Sequence, residues 1–435
     1  MHLHTNLKEF IKYTTLNVLG MIGISCYILA DTFFISKGLG TNGLAALNLA
    51  IPIYSLIHGS GLMLGMGGAT RYSITKEQKN SKNSDLIFTN TIYMGILLSV
   101  FFLLIGIFFS EQLTKLLQAE GNVFSMTKTY LSVILLFSPA FIYNNIFICF
   151  VRNDGNPRLA MFAMLGGSFA NIFMDYLFIF PLHMGILGAV LATATAPIIS
   201  MIILSYHWIK KCHQFHFIQT IPQFSNMTTT LFIGFPSLIT EVSSGIVILI
   251  FNLILLQISG NVGVAAYGVI ANLSLVVISI FTGIAQGIQP IISSAYGKGK
   301  KEHLLQTLRY GTITVFFLSV LIYIGMFFFA DSITNLFNRD SDVQLQQIAV
   351  TGIHFYFIGV LFVGYNIILS SFFASIEKAL PAHFISVMRG FLLIIPLAFL
   401  LSKWFGIIGV WTAFPITEGL CFIIGKIFYH KINLY

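Results

Sequence analysis

The sequence predicts an all-α integral membrane protein with twelve transmembrane helices in two homologous six-helix bundles, related by a parallel pseudo-two-fold repeat. Three observations carry this expectation. Of 435 residues, 56% are hydrophobic and only 9% are charged, where a soluble globular protein carries roughly 25% charged residues. Apolar stretches of about 20 residues, the length that crosses a bilayer, recur along the whole chain. Short motifs of the first half return in the second at a constant offset of 220 or 221 residues.

The apolar stretches run over 13–37, 43–69, 86–109, 126–151, 158–181, 186–209, 229–258, 262–289, 305–330, 347–374, 381–402 and 406–428. Gaps of only a few residues, 182–185 and 403–405, force tight antiparallel pairs. Pro52, Pro139, Pro197, Pro236, Pro290, Pro396 and Pro415 interrupt or border the stretches. Membrane helices tolerate proline where neighbours satisfy the freed backbone groups. The N-terminal segment lacks a small-residue cleavage site, so the first stretch is expected to be a retained helix rather than a signal peptide.

Lysine and arginine set the orientation. With the N-terminus in the cytoplasm, seventeen basic residues fall on that side. Five fall on the other: Lys37, Lys115, Lys128, Arg339 and Lys403. This bias places both termini on the cytoplasmic side of the membrane. The net charge of +8 sits in short loops between apolar stretches, which argues against nucleic acid and for the lipid bilayer as the partner. Cys26, Cys149, Cys212 and Cys421 form no CxxC pair and no metal-ligand spacing, so they read as packing residues.

The repeat is visible residue by residue. Gly43-Leu-Ala-Ala46 returns as Gly263-Val-Ala-Ala266, Gly67 as Gly287, Gly185-Ile-Leu-Gly188 as Gly406-Ile-Ile-Gly409, and Asn145 as Asn366. Six helices per half keep the repeats parallel, one of the two plans found in transporters. The expected organisation is an N-lobe over 1–212, a cytoplasmic linker over 213–228 and a C-lobe over 229–435.

Four acids lie well inside predicted helices: Asp31, Asp175, Glu241 and Glu418. A carboxylate there costs at least about 2.5–3.5 kcal/mol even on insertion scales, so it marks function. Asp31, Asp175 and Thr193 each lie six or seven residues from the outer ends of their stretches, roughly 10 Å deep. Asn171 shares a helix face with Asp175, and Tyr130 enters from the same side. Two carboxylates in low dielectric cannot both ionise cheaply. Such a cluster suits uptake of a proton, and with the Asn and Thr oxygens it also suits Na+. In the second half, Glu241 and Glu418 either attract a cationic substrate or pair with Arg389, which otherwise snorkels to the cytoplasm. The 43 Phe and 14 Met residues include candidates to line a cavity for aromatic cations.

The run Leu29-Ala-Asp31-Thr32-Phe-Phe followed by Gly43-Leu-Ala-Ala46, the run Asn171-Ile-Phe-Met-Asp175 followed by Thr193, and the Arg152-Asn-Asp-Gly-Asn-Pro157 loop resemble the multidrug and toxic compound extrusion (MATE) family over essentially the whole chain. The nearest likeness is to its MepA- and DinF-like bacterial branch. The resemblance implies a V-shaped pair of bundles and cation-coupled export of lipophilic, often cationic compounds by a functional monomer. It also implies a coupling site at Asp31, Asn171, Asp175, Thr193 and Tyr130, with H+ or Na+ as the coupling ion and no other cofactor. One branch of the family places acids in helices 7 and 10 of the C-lobe. Here helix 10 carries Asn366 where that acid is sought, so a C-lobe cavity of Glu241, Asn366, Arg389 and Glu418 is expected to serve substrate more than ion.

Three other functions compete. A lipid-linked-precursor flippase of the same superfamily calls for a strongly cationic cavity, and Arg389 is the only basic residue deep in a helix. A membrane enzyme is disfavoured by the lack of HExxH, GxSxG or a His–acid metal spacing. A passive channel fits repeats with buried acids less well than alternating access does.

Overall fold

The computed structural model describes residues 2–338 and 342–431, and among them there are helices and connections but no strand. Arg339, counted above on the outer side, lies outside the described residues. The first helical run, His2–Glu77, has 76 residues. At ~1.5 Å per residue it would reach about 110 Å, far more than the ~30 Å hydrocarbon layer. It is broken at Gly40, with φ 66° and ψ −156°. An L side chain rarely adopts that backbone, and the chain reverses there. The break divides the run into α1 (2–39) and α2 (41–77).

The helix α3 (Ser81–Phe108) is capped by Asn80, whose side chain accepts from the Asn83 N–H. A short helix, Ser110–Leu116, follows it. The next span, α4, consists of Gly121–Leu136 and Ser138–Asn153, bent by 49°. Pro139 opens the second piece and has no N–H to continue the hydrogen-bond ladder. Then come α5 (Pro157–Ile179) and α6 (Gly185–Leu204). The run Phe224–Gly297 breaks at Gly260, with φ 63° and ψ −153°, into α7 (224–259) and α8 (261–297). It is followed by α9 (Lys301–Phe337). The span α10 joins Val343–Tyr356 to Val360–Ser375 through a 3-10 turn. The span α11 starts at Ala379, passes a π-helical turn at Met388–Leu392 and runs to 405. Gly406 (φ 58°, ψ −135°) separates it from α12 (407–431).

Divided at these breaks, the described residues hold the twelve spans the sequence predicts. The repeat is also written in the backbone. Gly40 and Gly260 are 220 residues apart with nearly the same angles, and Gly185 (φ 63°) and Gly406 (φ 58°) are 221 apart. The helices outrun the apolar stretches, because hydropathy measures the lipid-covered length and helices continue past it. Residues 403–405, expected as a connection, are helical.

The chain forms two compact units. The first holds Thr15–Val242 with Ser293–Gly299. The second holds Ser243–Ile292, the chain from Lys300 onward, and the segment up to Thr14. Thus α1 begins in the second unit and α7 begins in the first. Within the first unit, α2 and α7 meet at Gly67 and Gly234: a Cβ on Gly67 would strike the Thr230 carbonyl, and one on Gly234 the Met63 carbonyl. Small residues let membrane helices approach this closely. Within the second unit, a Cβ on Gly287 of α8 would lie 2.7 Å from the Thr14 Cα of α1. Asn6 there donates to Gln306 at 2.8 Å, and Phe10 packs on Tyr310.

Between α6 and α7, residues 212–223 run without regular secondary structure, yet they are bound along the first unit. In an extended chain alternate N–H groups point the same way. The Gln214 N–H donates to Asp154 Oδ2 (2.9 Å), that of His216 to Asp85 Oδ1 (2.8 Å), and that of Ile218 to Thr89 Oγ1 (3.1 Å). The Gln223 N–H donates to Asn90 Oδ1 at 2.9 Å. Phe215 is fully buried among Tyr72, Phe88, Phe150 and Trp208. Asp154 is the node of this strap. It also accepts from the Tyr72 hydroxyl, from Lys76 Nζ (2.8 Å) and from His207 Nε2 (2.9 Å).

Candidate functional site

The site grows from α1, α4, α5 and α6 of the first unit. Asp31 on α1 and Asp175 on α5 are buried, and their carboxyls lie within hydrogen-bonding reach of each other. Asn171, one turn before Asp175 and fully buried, links the acids to α6. Oriented to suit its neighbours, its amide donates to Asp175 Oδ2 at 3.1 Å and accepts from the Thr193 N–H at 3.2 Å. The Thr193 hydroxyl donates to the Ala189 carbonyl at 3.2 Å, and Tyr130 of α4 is buried close by. All five residues expected from depth alone therefore meet laterally.

Oδ1 of Asp31 and Oδ1 of Asp175 are buried with no protein partner. A buried polar atom without a hydrogen bond is costly, so these two oxygens are where a proton or cation has something to gain. Among the described residues, no group of three or more His, Cys, Asp or Glu is arranged to hold a metal ion.

Three neighbours escaped the sequence reading. The Tyr27 and Tyr54 hydroxyls are 3.0 Å apart. The Tyr54 ring stacks on His58 with centroids 5.8 Å apart, and His58 Nδ1 lies 3.5 Å from Glu241 Oε2. Tyr27 precedes Asp31 by four residues, and Tyr54 precedes His58 by four. That helical spacing was the available signal.

The expected C-lobe cavity divides in two. Asn366, Arg389 and Glu418 come together in the second unit. Arg389 Nε donates to Glu418 Oε1 (2.9 Å) and Oε2 (3.0 Å). Asn366 Nδ2 donates to Glu418 Oε2 (2.7 Å) and to its backbone carbonyl (2.9 Å). Glu418 is thus charge-paired and does not stand free to attract a cation, and Arg389 does not snorkel away. Glu241 does not join them. It belongs to the first unit, because α7 starts there before crossing to the second. The helix halves of the sequence repeat do not coincide with the spatial units at this point.

A family model, MatE, matches residues 18–177 and 236–400, well over half of the chain. The chain belongs to the MatE family. Among curated MatE relatives, the multidrug export protein MepA of Staphylococcus saprophyticus is 24% identical over 425 residues, covering 95% of this chain and 91% of that protein. MepA of Staphylococcus aureus strain MSSA476 is 25% identical over 423 residues, with the same shares covered. Among solved structures, a MATE protein in complex with MaL6 superposes with a TM-score of 0.92 at 21% identity, over 98% of this chain and 96% of that one. An outward-facing multidrug resistance MATE family transporter of the MOP superfamily gives 0.91 at 21% identity, over 98% and 95%. The family match and the apolar helices make the chain a multi-pass membrane transporter. No catalytic family is indicated.

Proposed function

We propose that this MatE protein exports lipophilic, often cationic drug-like compounds in exchange for an inward-moving cation, by alternating access. The name multidrug export protein, carried by MepA relatives along their length, supports the substrate class. It also favours export of small molecules over flipping of a lipid-linked precursor. The protein sits in a bacterial inner membrane with both termini cytoplasmic, acts as a monomer, and consists of repeats 1–212 and 229–435 joined by 213–228.

The observation that carries the coupling is the buried acid pair. Asp31 and Asp175 touch, are buried, and each keep one unpartnered oxygen. Two adjacent buried carboxylates repel, so the pair binds a neutralising cation. The favoured cation is a proton. A hard metal cation takes about six oxygen ligands, whereas a proton needs only one of the two unpartnered carboxylate oxygens. Protonation removes the repulsion, shifts the Asn171–Thr193 contacts, and so couples ion uptake on α1 and α5 to α6 and α4. Substrate bound from the inside is released outside as the pair protonates.

Proteoliposomes test this directly. An imposed proton gradient is expected to drive transport of a cationic dye, a sodium gradient alone is not, and Asp31→Asn abolishes the response. Full gradient-driven transport by Asp31→Asn would refute the assignment.

A further inference from the structure

Arg389 is pinned at one edge and open at the other. Its Nε is held by both oxygens of Glu418, which Asn366 holds in turn. Among the described residues neither Nη group makes a hydrogen bond, and the side chain keeps 13% of its surface accessible. Arg389 lies three and four residues after Ser386 and Ile385, both buried, so the root of its side chain packs into the second unit. An arginine turned to lipid would carry a large cost. Arg389 also sits in the π-helical turn Met388–Leu392, a rare feature that is frequent at functional sites.

A guanidinium whose Nε edge is fixed presents its Nη fork rigidly, and the two parallel N–H groups match a carboxylate bidentately. We infer that Arg389 is a binding residue for the carboxylate of zwitterionic compounds, seated in the second unit with Glu418 and Asn366 as its positioning residues. Glu418 neutralises Arg389 when the site is free, which keeps a lone cation out of the membrane interior. A bound carboxylate then adds a bidentate charge-assisted contact, and the compound's own cationic group travels with it. The inference deepens the export reading and rests on it for transport, though not for binding.

The test uses two xanthene dyes with one cationic ring system, one bearing a free benzoate and the other its methyl ester. Binding to the full chain in detergent is measured by fluorescence anisotropy, and uptake is measured in proteoliposomes. Three proteins are compared: wild type, Arg389→Lys, and the charge-balanced Arg389→Gln/Glu418→Gln. The double variant leaves no unpaired buried charge, so it folds even if the pair matters for stability. The preference of wild type for the free acid over the ester is expected to fall about tenfold or more in both variants, since a hydrogen bond to a charged group is worth at least that factor. Ester binding by each protein is the baseline against which its acid preference is read. Equal weakening of acid and ester, or an unchanged preference, would overturn the inference and leave the pair a structural one. Should wild type bind the acid with this preference yet transport neither dye under any gradient, the export reading fails while the site stands.

Discussion

Replacing Asp154 by Asn should release the strap. The carboxylate receives four donors: the Tyr72 hydroxyl and Lys76 on Oδ1, and His207 and the Gln214 N–H on Oδ2. An asparagine amide keeps the shape but puts its own donors where one of those oxygens stood, so two of the four partners face a donor. Hydrogen bonds to a charged group are worth roughly 1.5–3 kcal/mol each. Lys76 is partly exposed and turns to water when released, which puts the net loss near the lower end, about 3 kcal/mol. The loss falls on the strap rather than on the bundle, as opening of a local unit. At ~1.4 kcal/mol per factor of ten, strap opening becomes about a hundredfold more frequent. Lys210 and Lys211 are exposed at its start, so trypsin cleavage there, followed by mass spectrometry in detergent, reads the change. Cleavage of Asp154→Asn within about threefold of wild type would refute the node. The pH dependence has a defined sign. Burial pushes the Asp154 carboxyl up, but the hydrogen bonds from His207, Lys76 and Tyr72 outweigh it and hold the carboxyl below the usual carboxylate range. A carboxylate depressed in the folded state contributes its stability above its unfolded value, near 3.9, and loses it as pH falls through the folded value. Protection by this carboxylate should therefore be unchanged from neutrality down to about pH 4 and be lost only below it.

Other perturbations have equally definite outcomes. Gly234→Ala places a Cβ against the Met63 carbonyl, and no side-chain motion relieves a backbone clash. It should cost on the order of 2–3 kcal/mol, seen as a lowered thermal-unfolding midpoint in detergent, while an unchanged midpoint would show that α2 and α7 separate there. Gly40→Ala meets no atom within 4 Å, so its cost is conformational: φ 66° with ψ −156° is backbone that essentially only glycine adopts, at about 1–3 kcal/mol, and an unchanged midpoint would show that the turn relaxes. Tyr27→Phe removes the hydroxyl that meets Tyr54 beside Asp31. It should slow gradient-driven dye transport several-fold without changing expression or folding, and an unaltered rate would remove Tyr27 from the site.

The sequence carried the large features because they are set by lipid. Apolar length sets the spans, and the repeat pairs Gly185 with Gly406 in the sequence, whereas the matching breaks at Gly40 and Gly260 are visible only in the backbone angles. Depth counting from helix ends placed Asp31, Asn171, Asp175, Thr193 and Tyr130 at one level, and the structure joins them laterally. What stayed hidden depends on packing between segments distant in the chain. Glu241 meets His58 because α7 starts among the helices of the first unit, and no property of residues 229–258 says so. Residues 213–228 read as a linker because they fall between the two six-helix halves, yet the grip on them lies in Asp85, Thr89, Asn90 and Asp154, acceptors spread over other elements. The π-helical turn at Arg389 has no sequence signature.

The most direct measurement runs the exchange in reverse. Proteoliposomes holding a pH-sensitive dye in the lumen are prepared with no proton or sodium gradient, and a cationic substrate gradient is imposed across the membrane. If the Asp31–Asp175 pair exchanges protons for substrate, wild type moves protons opposite to the substrate and lumenal pH changes, whatever the sodium concentration, while Asp31→Asn and Asp175→Asn give no change. A substrate flux with no pH change in wild type, or a pH change that survives both substitutions, would mean that the buried acid pair does not couple transport to protons.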